Sequence, residues 1–246
     1  MKRLSTYLNE RLVVNKKYKR YAYFPKTFSE LKEIIEQRYE EQGPGTKQNP
    51  VNFNDIDTSS IDSFADLFNR LNFEYIDISS WNTSNVYSTM NMFYSCEQLV
   101  SIGDIGEWDV SDISTFRGMF FNCRSLETIG DLSNWTVTDK LRNTCTMFCM
   151  CFKLKNIGDI GKWEMKNVDN TFEMFQRCDE LEYIGDISSW DLQNVDSMGH
   201  MFYGCKKLKN IGDLTKWKKP RSFKKIHYFE DIFTESSIIN RPDWAF

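Results

Sequence analysis

The sequence predicts an α/β solenoid of about seven coils of 27 residues, preceded by a segment that does not repeat. Three observations carry this. The seven Trp residues, Trp81, Trp108, Trp135, Trp163, Trp190, Trp217 and Trp244, are spaced by 27, 27, 28, 27, 27 and 27 positions. The same beat is kept by Phe93, Phe120, Phe148, Phe175 and Phe202, by Cys96, Cys123, Cys151, Cys178 and Cys205, and by the Leu at 99, 126, 154, 181 and 208. The ends are degenerate: a weak copy starts at Ile56, and the stretch from Trp217 to Trp244 lacks the Met-Phe and the Cys. A fixed period with atypical ends marks units that cannot bury their apolar faces alone and do so by stacking.

Composition agrees. With 41% hydrophobic and 15% aromatic residues, a chain of 246 residues can fill a sizeable core. No apolar run is long enough to span a membrane. The start, MKRLSTYLNERLVVNKKYKR, has no apolar h-region, so a classical secretory signal is not expected. Seven Cys, an odd number, fit reduced thiols better than a closed disulfide framework.

Residues 1–50 form the N-terminal segment. YKRYAYF, with Tyr18, Tyr21 and Tyr23, reads as a strand. TFSELKEIIEQRYEEQG carries a capping box from Thr27 to Glu30, an apolar face of Phe28, Leu31, Ile34, Ile35 and Tyr39, and a stop at Gly43-Pro44. It predicts a helix over about 28–42 that caps the first coil, with residues 44–50 as a linker. The repeats occupy 51–217, and 218–246 hold a degenerate repeat and C-terminal cap. Within one unit, Met119, Phe120, Cys123 and Leu126 fall about three apart, the spacing of a short helix with one inner face. Leu126, Ile129 and Leu132 then face inward through a short strand, with a turn at Gly130, where glycine accepts φ > 0.

The phrase Met-Phe-x-x-Cys-x-x-Leu-x-x-Ile, with the Trp-led segments WDVSDISTFRGMFFNC (108–123) and WDLQNVDSMGHMFYGC (190–205), resembles the BspA-like leucine-rich repeats over roughly residues 55–217. The resemblance implies a right-handed leucine-rich-repeat superhelix and is nearly silent on function. Members of that family are typically bacterial surface or adhesion proteins, and similar repeats occur in viral genomes. A surface or adhesion role is therefore an alternative here, in tension with the missing export signal.

Charge is segregated. Residues 74–200 carry twenty acidic and nine basic side chains, residues 201–225 one and nine, and residues 1–25 one and seven. The basic stretch KKLKNIGDLTKWKKPRSFKK, with Trp217 and Phe223 able to stack on bases, makes nucleic acid an alternative partner.

Several columns invite a chemical reading. The Trp ladder suits core packing, with a sugar-stacking stripe as the alternative. The repeated Cys suit small buried positions, although Cys145, Cys149 and Cys151 crowd one unit enough to suggest a redox or metal site. Asp104, Asp131, Asp159, Asp186 and Asp213 would repel one another unless each caps its own turn or a cation such as Ca²⁺ sits between coils; capping is preferred. His200 and His227 lie in no nucleophile or metal motif, and no phosphate-cradling loop is present, so no catalytic, cofactor or metal site is expected.

The expectation is a non-enzymatic protein-binding or structural module. Its surface is the strand side, where residues vary most between units: Val100, Glu127, Lys155, Glu182 and Lys209 in one column, and Ser101, Thr128, Asn156, Tyr183 and Asn210 in the next. Mixed charge with an aromatic suits recognition of a protein. MKRLSTYLNE also resembles the targeting peptides of proteins packaged in the heads of T4-like phages, with Leu8 and Glu10 matching an apolar-x-Glu cleavage point before Arg11; an ordinary amphipathic first helix is the alternative. That reading places the protein in the host cytoplasm or a virion.

Overall fold

The computed structural model describes residues 21–223 and 229–245. Leu8, Glu10 and Arg11 therefore lie outside the described residues, as do Lys224, Lys225 and His227.

Helix α1 spans Phe28–Gln42, where its caps place it. Thr27 Oγ1 accepts from the Glu30 N–H at 3.2 Å, and Gly43, at φ 70°, donates its N–H to the Tyr39 carbonyl. The box is not fully reciprocal: the Glu30 carboxylate accepts from Lys26 N at 2.6 Å rather than from the cap residue. Leu31, Ile34 and Ile35 are buried, and Arg38, only 7% exposed, joins them. Arg38 holds Asp55 with two bonds of 2.7 and 3.2 Å and lies over the rings of Tyr23 and Phe53. Burial opposes its charge, but the bond and attraction to Asp55 win, and its pKa is raised. This ion pair docks α1 onto the first repeat. Residues 44–50, read as a linker, are mostly exposed and are tied to the repeats at their start, where the Pro44 carbonyl accepts from Glu74 N and Tyr75 N at 2.8 and 3.2 Å.

The repeats lie side by side, joined by parallel bridges between equivalent residues. Strands β1 (Val51–Asn52) and β2 (Ile76–Asp77) pair in parallel. One further column of bridges runs through Ser63, Ser88, Thr115, Asn143, Asn170 and Ser197; another links Tyr75, Ser101 and Thr128, and Asn156 to Tyr183. The Ile-Gly-Asp segments are adjacent as well, with Ile105 N donating to Ile129 O at 3.0 Å and Ile160 N to Ile184 O at 2.9 Å. Long strands do not form because turns interrupt the chain every few residues.

The expected short helix around Met119 to Leu126 is absent. That stretch is a chain of β-turns, so the helical part of the α/β class is confined, among the described residues, to α1 and two 3-10 turns, Leu132–Asn134 and Leu214–Lys216. Met92 N closes a turn on Thr89 O and Cys96 N one on Phe93 O, with positive φ at the third residue of each, Asn91 and Ser95. A positive φ at that position is the mark of a type II turn. Alternate N–H groups, those of Asn91, Phe93 and Ser95, then point along the stack and donate to Arg117, Met119 and Phe121 of the next repeat. A helix would have consumed those donors internally. Chained turns and a helix turn produce the same apolar spacing of three, which is why the pattern misleads.

One apolar cluster runs from Leu31 to Ile238. Its spine is a row of nearly parallel rings: Phe93 and Phe120 have centroids 5.3 Å apart at 3°, Phe120 and Phe148 5.6 Å at 6°, and Phe175 and Phe202 5.5 Å at 6°.

Candidate functional site

The two outward columns chosen from the sequence are adjacent on one face. Val100 N donates to Glu74 O at 2.7 Å, Glu127 N to Val100 O at 3.0 Å, and Glu182 N to Lys155 O at 2.9 Å. Backbone bonding between repeats thus sets the spacing, and the side chains are left outward. Val100 and Ser101 are half-buried; Glu127, Thr128, Lys155, Asn156, Glu182, Lys209 and Asn210 are exposed, and Tyr183 is 44% exposed. The acid-base alternation of Glu127, Lys155, Glu182 and Lys209 limits repulsion along the column. At its N-terminal end, a hollow of about 260 Å³ is lined by Lys47, Tyr75, Val100, Ser101, Glu127 and Thr128, among others. Lys47 and Pro50 contribute one wall of it.

The inward columns are structural. Trp135, Trp163 and Trp217 are each 3% exposed, which removes the sugar-stacking alternative. Two of these indoles cross to the preceding repeat, Trp135 Nε1 donating to Ile105 O at 2.8 Å and Trp217 Nε1 to Ile187 O at 2.9 Å, whereas the Trp163 Nε1–H is buried without a partner. The repeat Cys do likewise, with Cys123 Sγ 3.0 Å from Phe93 O and Cys178 Sγ 3.1 Å from Phe148 O. Burial pushes the Cys96 thiol up to about 12 and raises those of Cys123, Cys151, Cys178 and Cys205 as well.

Cys151 serves this ladder, whereas Cys149 faces Gln176 Oε1 at 3.3 Å and Glu173 Oε2 at 3.8 Å. Among the described residues no group of three His, Cys, Asp or Glu is placed to hold a metal ion.

The Asp column caps its own turns. Asp104 Oδ1 accepts from Gly106 N, Asp131 Oδ1 from Ser133 N, Asp159 Oδ1 from Gly161 N and Asp186 Oδ1 from Ser188 N, all at 2.9 Å, and Asp213 Oδ1 from Thr215 N at 3.2 Å. Hydrogen bonds from Ser133, Ser188 and Thr215 hold Asp131, Asp186 and Asp213 below the usual carboxylate range. The same carboxylates explain the glycines. A Cβ on Gly130 would collide with Asp104 Oδ1, and one on Gly158 with Asp131 Oδ1.

The basic C-terminal stretch is partly spent on its neighbour: Lys206 pairs with Asp179 at 2.8 Å and Lys207 with Glu180 at 2.5 Å. Trp217, proposed for base stacking, is buried, and Phe223 lies beneath Lys219 Nζ at 4.0 Å. No helix among the described residues is long and apolar enough to cross a membrane.

Sequence reasoning missed one feature. A second, larger hollow of about 600 Å³ opens beside the Trp81 turn, lined by Tyr21, Thr83, Asp104, Glu107 and Asp109, among others. The available signal was Thr83, which stands where the following units have Val110, Val137, Met165 and Leu192.

A family model described as "Mycoplasma protein of unknown function, DUF285" matches residues 38–157 and 144–245, well over half of the chain. The chain belongs to this family. Among solved structures, it is similar to a leucine-rich repeat protein from Bacteroides ovatus at 15% identity and a TM-score of 0.34, a match covering 75% of this chain and 48% of that one. The chain thus spans about half the length of that relative. No curated protein matches. Neither match is to a phage or viral protein.

Proposed function

We propose that this member of the family is a non-enzymatic protein-binding module, a right-handed leucine-rich-repeat solenoid of about seven coils that docks a partner on its strand-side columns. One observation carries the reading. Inward positions repeat almost without change, whereas the outward columns change chemistry at every unit, from Val100 to Glu127, Lys155, Glu182 and Lys209. Uniform positions serve packing between units; a varied, mixed-charge face with an exposed Tyr183 suits one protein surface. The hollow at Val100 and Thr128 supplies a recess for an anchoring side chain.

The test is a partner identified by cross-linking to the intact chain in its source cells, then titrated against Glu127→Arg and Tyr183→Asp. Both sites are exposed, so the melting temperature should hold while affinity falls at least tenfold. Unchanged affinity in both variants would remove the strand face as the docking surface.

A further inference from the structure

Charges alternate down the strand-side face, Glu127, Lys155, Glu182 and Lys209, one per repeat and all exposed. Elsewhere on the surface, equivalent residues of adjacent repeats pair with each other: Arg124 with Glu97, Lys206 with Asp179 and Lys207 with Glu180. The alternating column does not do this. Among the described residues Glu127, Lys155 and Lys209 take part in no ion pair, and Glu182 has only Lys207 at 3.9 Å. Their charges are left unmatched within the chain.

The two ends of the face differ in shape. At one end, the hollow of about 260 Å³ lies among Tyr75, Val100, Ser101 and Thr128. At the other, Ile239 is 82% exposed. It belongs to the same face. Leu214 N donates to Asn240 O at 3.1 Å as Ile187 N does to Ile211 O at 2.9 Å, so Ile239 stands where Asn210 stands one repeat earlier. An isoleucine so placed gains free energy when another surface covers it.

We propose that this face docks a second copy of the same chain, turned end for end about a two-fold axis that lies between the two faces and runs parallel to the strands. The inference rests on the strand-side docking surface proposed above and names its occupant. Numbering the repeats of the face from Val100 to Ile239, reversal sets the first against the sixth, the second against the fifth and the third against the fourth. Glu127 then meets Lys209 of the second copy, and Lys155 meets Glu182, so every acid faces a base. Ile239 meets the hollow at Val100, twice over by symmetry. A parallel pairing would instead set acid against acid at each step. An alternating column of even length complements its own reverse, which is what a two-fold interface requires. Equal spacing of the repeats, about 4.8 Å, keeps all the contacts in register. Exposed ion pairs contribute little each, so the charges select the register and the apolar ends supply the attraction.

Sedimentation equilibrium of the full chain over about 1–200 µM, a range that brackets micromolar affinity, tests this. The expected result is a monomer–dimer equilibrium. Glu127→Lys and Lys209→Glu should each weaken it at least tenfold, since each variant alone sets like charges face to face. Mixed in equal amounts, the two variants should recover a dimer of nearly the original affinity, because each reversed charge then meets its opposite. Ile239→Ser should weaken the dimer several-fold. All three sites are exposed, so circular dichroism should match the unchanged chain. A chain that stays monomeric throughout would overturn the proposal, as would a dimer indifferent to both charge reversals or single variants that fail to rescue each other. A monomeric chain that captures a protein of different sequence, with affinity lost in Glu127→Arg, would remove the second copy as occupant and leave the docking surface standing.

Discussion

The thiol of Cys123 donates to the carbonyl oxygen of Phe93, one repeat earlier, at 3.0 Å, and the same oxygen accepts the N–H of Cys96 at 3.1 Å. Trp135 repeats the arrangement: Ile105 O accepts the Trp108 N–H at 3.1 Å and the Trp135 indole at 2.8 Å. Phe-x-x-Cys and Ile-x-x-Trp are thus one device written twice. The residue after the gap closes its own turn, and its counterpart in the next unit ties the two units together. Each side chain combines an apolar body with one donor, which Val or Leu cannot.

The thiol ladder makes stability depend on alkaline pH. Burial raises the folded pKa of Cys96 from 9.0 to about 12. Below the unfolded value the contribution is fully present; between pH 9 and 12 the unfolded chain loses the proton and the folded chain keeps it, so stability falls. Melting curves across that window should decline, and Cys96→Ala should make the decline shallower. Under native conditions at pH 8, the five ladder thiols should react with a thiol reagent far more slowly than in urea.

Two tryptophans in equivalent places should respond differently. Trp135→Ala should cost roughly 3–5 kcal/mol, the usual cost of emptying an aromatic core site. Trp135→Phe also forfeits the bond to Ile105 O, whereas the Trp163 indole has no partner to lose. Chemical denaturation should therefore find Trp163→Phe milder by about 1 kcal/mol.

Glycine at 130 and 158 is required twice over. Each has positive φ, 90° and 82°, and each lies where the preceding Asp fills the space of a Cβ. Gly158→Ala should cost more than the roughly 1–2 kcal/mol of a left-handed alanine alone. Pairing it with Asp131→Gly should recover part of that loss, and equal losses in the single and double variants would refute the interlock.

Asp131 serves as a turn cap. Asp131→Asn keeps an acceptor for Ser133 N and should cost little, while Asp131→Ala should cost about 1 kcal/mol. Its folded pKa is lowered, so its contribution is present above the unfolded value near 3.8 and is lost as pH falls through the folded one. Acid melting curves should flatten in Asp131→Asn. Millimolar Ca²⁺ should not raise the melting temperature beyond its general ionic effect; a larger rise would favour a cation between the units.

The sequence by itself determined the repeat, its period, the degenerate ends, the cap helix and the inward residues, because stacking identical units demands the same apolar residue at the same place each time. It also marked the variable outward columns, since nothing inside constrains them. Only the tertiary structure decided what the chain does between those points. A spacing of three is common to a helix and to consecutive β-turns, and the choice rests on hydrogen bonds to a neighbour 26 or 27 residues away. That neighbour also decides why Gly130 is glycine, since the reason is Asp104. Arg38 reads as a polar helix residue until Asp55 is brought beneath it. Thr83 reads as one more threonine until its hydroxyl is found buried and unpaired. Local pattern specifies which residues go inward; which donor meets which acceptor is settled only when the next repeat is in place.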